Sequence, residues 1–250
     1  MKKCIWCSKT ENTVSFNKKA HTIPKSLGGI HICENVCDNC NEYFGNKESG
    51  LPSIEIAIKD ILNLSKYLIL TQDNNKPKKR FTSEYFKFNI EKKTLKFQPK
   101  YQLKNNFQSE YAKRFKRGIY KIFLEERERQ CGDAHDDRFN YIREFARFGF
   151  NDHPIYFQKP NGFVMYNMDN IINPEIRFTD YSDEIDKNYR FYSYPIIGHS
   201  FVIPTSNQFM EERLKEFKKL LIKEKNPFGV ELIEIKKMED LDFRFNYLNT

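Results

Sequence analysis

Cys4-Ile5-Trp6-Cys7 and Cys37-Asp38-Asn39-Cys40-Asn41 bracket the run Ala20-His21-Thr22-Ile23-Pro24-Lys25-Ser26-Leu27-Gly28-Gly29. Two Cys-x-x-Cys knuckles supply four thiolates, the ligand set of one closed, tetrahedral zinc site. Six cysteines in a secreted chain would instead point to disulfides, but no apolar signal core follows Met1-Lys2-Lys3, and a chain of 250 residues needs no staples. Structural Zn²⁺ on Cys4, Cys7, Cys37 and Cys40 is therefore expected. Cys33 lacks the knuckle spacing, and Cys131 reads as a free thiol at a helix end. A metal at this position offsets the small core of a module of about fifty residues. A zinc ribbon without chemistry would need nothing more.

The histidine and the asparagine go beyond that need. Ala20-His21-Thr22-Ile23-Pro24 between the knuckles, and Asn41 directly after the last cysteine, resemble the HNH endonucleases. The resemblance covers residues 1–50 and implies a ββα-metal fold that cuts nucleic acid with one divalent ion. It implies that His21 is the general base, a task suited to an imidazole that is neutral near pH 7. It implies that Asn41 offers an amide oxygen to catalytic Mg²⁺ or Mn²⁺, and that Asn35 fixes the loop carrying the histidine. Many relatives hold a second ligand just before the histidine, where this chain has Ala20. Glu34, Asp38, Glu42 and Glu48 are nearby acids, and His31 is a further nearby donor. Read without the resemblance, His21 is a histidine satisfied in a turn and Asn41 a local helix residue.

Charge places a partner. Between Thr71 and Lys121 fifteen Lys/Arg face four acids, although the whole chain carries only +8, so the remainder is net negative. A concentrated basic segment is the footprint of a polyanion. Lys78, Lys79 and Arg80 form one cluster, and Lys113, Arg114, Lys116 and Arg117 another, interleaved with aromatics such as Phe81, Tyr85 and Tyr111. With Lys25 these are the candidate nucleic-acid contacts. An ordinary solvated helix face is the competing reading of the second cluster. Aromatics at 15% supply core area that the 39% hydrophobic share alone would leave short. No apolar run is long enough to span a bilayer. A cytoplasmic protein without membrane contact is expected.

Periodicity gives the elements. Short strands are expected at Val14–Phe16 and Ala20–Ile23, then a helix from Asp38, with Asp38 as its N-cap. A helix is expected over Ser53–Leu70 and a hairpin over Phe81–Tyr101. Helices follow at Ser109–Gln130 and at Asp136–Phe148, the second capped by Gly149. A second hairpin is expected from His153–Gln158 and Gly162–Asn167. Further strands are expected at Ile176–Thr179, Tyr189–Pro204 and Val230–Lys236, with a helix at Gln208–Glu224. The fold class is α+β: a zinc-stapled module over 1–50, a helix and basic linker over 51–80, and a larger α+β domain over 81–250. His135, among the acids of a loop, and His153 and His199, near strands, read as structural.

The functional expectation is a metal-dependent HNH endonuclease acting on nucleic acid, DNA foremost, of the kind used in restriction and antiphage defence. The rivals are a non-catalytic zinc-ribbon nucleic-acid binder and an effector subunit active only with a sensor partner. A homodimer or protein partner would be needed to cut both strands at once.

Overall fold

A computed structural model of the chain describes residues 1–48, 50–71, 83–89, 94–98, 106–162, 165–223 and 229–243. The first knuckle closes through an antiparallel bridge between Lys3 and Thr10. Strands β1 (Ala20–His21) and β2 (Ile32–Cys33) then pair antiparallel, Ala20 against Cys33 and His21 against Ile32. Helix α1 (Asp38–Gly45) completes a ββα unit. Its N-cap is Cys37, not Asp38; Asp38 stands in the first turn, where a carboxylate complements the helix dipole. There it accepts the Lys18 backbone N–H at 2.7 Å. No strand forms at Val14–Phe16: the Ser15 carbonyl accepts from the Asp38 N–H instead, which spends that segment on anchoring the helix.

Helix α2 (Ile54–Thr71) begins where Ser53 Oγ accepts the Ile56 N–H at 3.1 Å. Strands β3 (Phe86–Asn89) and β4 (Thr94–Phe97) make the expected hairpin. Helix α3 (Phe107–Cys131) is the centre of the molecule, with seventeen of its 25 residues buried. Gly118 lets α2 lie directly on α3: a Cβ there would sit 2.1 Å from Ile58 Cδ1. The expected helix at 136–148 is broken into a 3₁₀ turn (Asp137–Phe139), helix α4 (Asn140–Arg143) and a π turn (Glu144–Phe148). Asp136 caps the first piece and Gly149 the last.

Strand β5 (Tyr156–Pro160) does not turn back into a hairpin. It is an inner strand, pairing antiparallel with both β7 (His199–Pro204) and β8 (Val230–Glu234), and β7 pairs on its other side with β6 (Phe191–Ile196). The strand order is β6-β7-β5-β8. Of the expected strand at Gly162–Asn167, residues 163 and 164 lie outside the described residues and 165–167 are not strand; nor is Ile176–Thr179, and helix α5 (Met168–Ile172) lies between. Helix α6 (Asp180–Tyr189), capped by a Thr179–Ser182 capping box, escaped the sequence reading because it is so polar. Helix α7 (Met210–Lys223) follows β7.

The period of two along a strand sorts the sheet into two faces. Phe157, Phe201, Tyr192 and Tyr194 join the large core with α2 and α3. Tyr156, Phe191 and Val202 form a second core with Phe217, against Ile185 and Leu214. The large core is continuous: it includes Cys4, Trp6, Ala20 and Phe44 of the N-terminal unit, then Ile58 and Leu62 of α2, then Phe115 and Phe123 of α3. Among the described residues, no helix is long and apolar enough to cross a membrane.

Candidate active site and zinc centre

The sulfurs of Cys4, Cys7, Cys37 and Cys40 all lie within 4.8 Å of one another. Cys7 Sγ and Cys37 Sγ are 3.7 Å apart, which suits two ligands of one tetrahedral zinc. Their protonation is divided. Hydrogen bonding from Cys40, and from backbone N–H groups of Cys37, Cys7 and Trp6, lowers Cys4 to about 4. Burial pushes Cys37 up to about 11, and hydrogen bonding to Cys4 together with burial pushes Cys40 higher still. Four crowded thiols cannot all ionise without a cation, and a dication resolves the conflict. The donor set therefore fits zinc. Arg147 Nε donates to Cys40 Sγ at 3.4 Å, a contact that supports a thiolate ligand from outside the knuckles. Cys33 is not in the cluster; it is buried in β2, and burial raises its thiol. Cys131 is exposed at the end of α3.

On the other flank of α1 lies a cleft of about 430 Å³, lined by His21, Lys25, Asn41, Glu42, Glu55 and Lys59 among others. His21 ends β1 and Asn41 sits in α1, so the ββα unit itself brings the two together. The His21 Nδ1 atom is buried with no hydrogen-bond partner among the described residues. Burial holds the imidazole below its usual value, and Lys25, Lys121 and Lys19 act in the same direction against an opposing pull from Glu55. The loop after His21 is rigidly held. Gly28 has φ +99°, and a Cβ there would lie 2.1 Å from the Ile172 carbonyl oxygen. Lys66 of α2 donates to both the Leu27 and Ile172 carbonyls, at 3.0 and 2.9 Å.

Helix α3 grips the unit from behind with a row of carboxylates. Glu125 accepts the Trp6 indole N–H at 3.1 Å, Glu126 accepts the Thr22 hydroxyl, and Glu128 accepts Asn35 Nδ2 at 2.6 Å. Asn35 thus ties the turn after β2 to α3 through its side chain, and its carbonyl accepts the Ile5 N–H. Lys121, fully buried, donates to the His21 carbonyl at 3.1 Å and to Glu125 at 2.8 Å, and stands 3.6 Å from Glu55 Oε1. Burial raises Glu125 to about 7, while Lys121 and the Trp6 N–H pull it down.

Three members of the expected basic face of α3 are engaged inside the fold. Arg114, Lys116 and Arg117 are buried and already bonded within the fold. Arg114 pairs with Glu48, Lys116 with Asp152, and Arg117 donates to Tyr43 OH and to the Ala146 and Arg147 carbonyls. Their charges answer carboxylates and orphan carbonyls because α3 is enclosed on nearly all sides. Lys113 is half-exposed, and Lys78, Lys79 and Arg80 lie outside the described residues. Lys25 is exposed at the cleft, joined there by Lys19 and Lys59.

Of the other acids near the histidine, Glu34 pairs with Lys2, Glu48 with Arg114, and Asp38 accepts from Lys18. Glu42 lines the cleft and pairs with Lys18 at the surface. Glu55 lines it too, and sequence reasoning passed over it because it belongs to the next helix. His31 faces Glu175 at 3.8 Å, His135 Nε2 contacts the Lys3 carbonyl at 3.3 Å, and His153 is buried among Tyr120, Tyr141 and Phe145.

A ββα unit with a four-cysteine zinc seat on one flank of its helix and a histidine–asparagine cleft on the other defines a zinc-stapled ββα-metal module, set in an α+β protein. The model of the HNH endonuclease family matches residues 4–49. That stretch is similar to the HNH endonucleases, and its cysteine cluster fits a zinc-binding HNH module. Comparison with curated proteins and with solved structures gives no match.

Proposed function

We propose that this protein is a metal-dependent endonuclease that hydrolyses phosphodiester bonds, with DNA as its substrate and restriction or antiphage defence as its setting. The observation that carries the reading is the meeting of His21 and Asn41 in one cleft of the HNH module. His21, held neutral by burial and by its lysine neighbours, accepts the proton of the attacking water. Asn41 offers its amide oxygen to Mg²⁺ or Mn²⁺, hard cations that take oxygen donors and retain waters. When bound, such an ion offsets charge on the scissile phosphate and the leaving oxygen. Lys19, Lys25 and Lys59 at the rim draw in the phosphate backbone. The zinc site and α3 hold the frame and leave no open position at the zinc.

Plasmid nicking by the purified protein tests this. With Mg²⁺ or Mn²⁺ the supercoiled form should relax, EDTA should stop it, and His21→Ala should slow it by roughly 10²–10⁴-fold. Binding without nicking in either ion would sink the catalytic reading. It would favour a zinc module that only binds nucleic acid, or an effector that waits for a sensor partner.

A further inference from the structure

We infer that Glu55, at the start of α2 and outside the stretch matched to the family, is the carboxylate ligand of the catalytic cation. The inference rests on the nuclease reading above and adds a residue that sequence pattern alone does not assign. Asn41 by itself offers one neutral oxygen, and a hard dication is normally held through one or two carboxylates with waters completing the shell. The residue just before the histidine gives nothing: Ala20 is fully buried and packed in the core. The cleft holds two carboxylates, Glu42 and Glu55. Glu42 is exposed and engaged with Lys18.

Glu55 is placed differently. It is half-buried, in the first turn of a helix whose start is fixed by Ser53 Oγ. Lys121 approaches its Oε1, while Oε2 lies toward Gly45 at the end of α1, on the wall shared with Asn41. The same Lys121 ammonium donates to the His21 carbonyl. One buried lysine of α3 therefore braces both the strand that carries the base and the carboxylate that would hold the ion. The ligand, the base and the brace come from three separate elements, α2, β1 and α3. The cation site is complete only when the HNH module is packed on the rest of the chain.

The test is Mn²⁺ binding to the full-length, zinc-loaded protein, read by the electron paramagnetic resonance of free Mn²⁺ and by calorimetry. Wild type is compared with Glu55→Gln, Glu55→Asp, Glu42→Gln and His21→Ala. Zinc content and circular dichroism confirm that each variant is folded. Glu55→Gln should weaken Mn²⁺ binding at least tenfold and lower cleavage in parallel, with excess Mn²⁺ restoring part of the rate. Glu55→Asp, which keeps the charge facing Lys121 but shortens the reach, should also weaken it. Glu42→Gln and His21→Ala should bind Mn²⁺ as wild type does. Wild-type affinity in Glu55→Gln, or a loss in Glu42→Gln instead, would overturn the assignment and leave the nuclease reading standing. Weakened Mn²⁺ binding in Glu55→Gln, from a wild type that cuts no nucleic acid, would support the ligand and overturn the nuclease reading. Absence of Mn²⁺ binding in wild type would overturn both.

Discussion

At His21, burial and the ammonium groups of Lys25, Lys121 and Lys19 all oppose protonation. A cation bound in the cleft would add to them. The acid limb of log kcat/KM, which reports the base in the free enzyme, should therefore bend below the ordinary histidine value of about 6.5. Lys25 is the largest single charge acting on the ring and is exposed. Removing it removes a like charge, so protonation becomes easier and the limb should move to higher pH in Lys25→Met. A pH–rate profile of wild type and Lys25→Met, at saturating Mn²⁺ and constant ionic strength, checks this. An unmoved limb would mean that another group limits the acid side. The sequence exposed His21, Asn41 and the four cysteines because each belongs to a short motif whose neighbours in sequence are also its neighbours in space. Glu55 shares the same cleft only because α2 packs beside the ββα unit, and no local spacing records that.

Helix α3 shows what a linear reading of charge misses. Its lysines and arginines look like a polyanion surface when α3 is pictured as a helix with one wet face. In the fold α3 is enclosed by α2, β2, the π turn and the sheet, and a buried cation without a partner costs far more than an exposed one. Arg117 illustrates the consequence. Its guanidinium holds the Ala146 and Arg147 carbonyls at 3.1 and 3.2 Å, where the π turn leaves backbone acceptors to satisfy, and reaches Tyr43 OH at 2.7 Å. Arg117→Ala should cost about 2–4 kcal/mol of stability, since it strands buried acceptors that a charged donor had served. Urea unfolding gives that number directly. A phosphate contact behaves otherwise: its loss would lower DNA affinity and the salt dependence of binding at unchanged stability. The elements themselves were easier to read than their charges, since α1, α2, α3, α7 and the β3–β4 hairpin follow plain periodicity. The β5 hairpin failed because Lys159-Pro160-Asn161 has turn-forming residues, while β5 finds its partners in β7 and β8, far along the chain. Helix α6 failed for the opposite reason, as its apolar face is carried by few residues, Ile185 and Tyr189 among them.

Across the whole molecule, the first knuckle packs directly on the central helix, and the single tryptophan of the chain reports on that contact. Trp6 lies inside the first knuckle, between Cys4 and Cys7, and is 2% exposed. Its ring packs edge-on against Phe44 of α1 at 5.0 Å, and its indole N–H reaches Glu125 of α3. Zinc held by the four cysteines would fix the knuckle that carries Trp6, and Trp6 donates to the Glu125 carboxylate buried beside Lys121. Stripping the metal should therefore release more than a local loop. The prediction is one zinc per chain and, on its removal by a strong chelator, a red shift of tryptophan emission as the indole reaches water. The unfolding midpoint should fall at the same time. Cleavage should be lost and should return when zinc and Mn²⁺ are both restored, but not with Mn²⁺ alone, because the cleft and the zinc seat share α1. Helix α3, packed also against α2, the π turn and the aromatic face of the sheet, should keep most of the far-ultraviolet helical signal after zinc is gone. Zinc loss verified by elemental analysis with tryptophan emission unmoved would show that the packing against α3 holds the knuckle without the metal. The same experiment separates the two metals: a chelator weak enough to take Mn²⁺ and leave zinc should abolish cleavage with no change at Trp6.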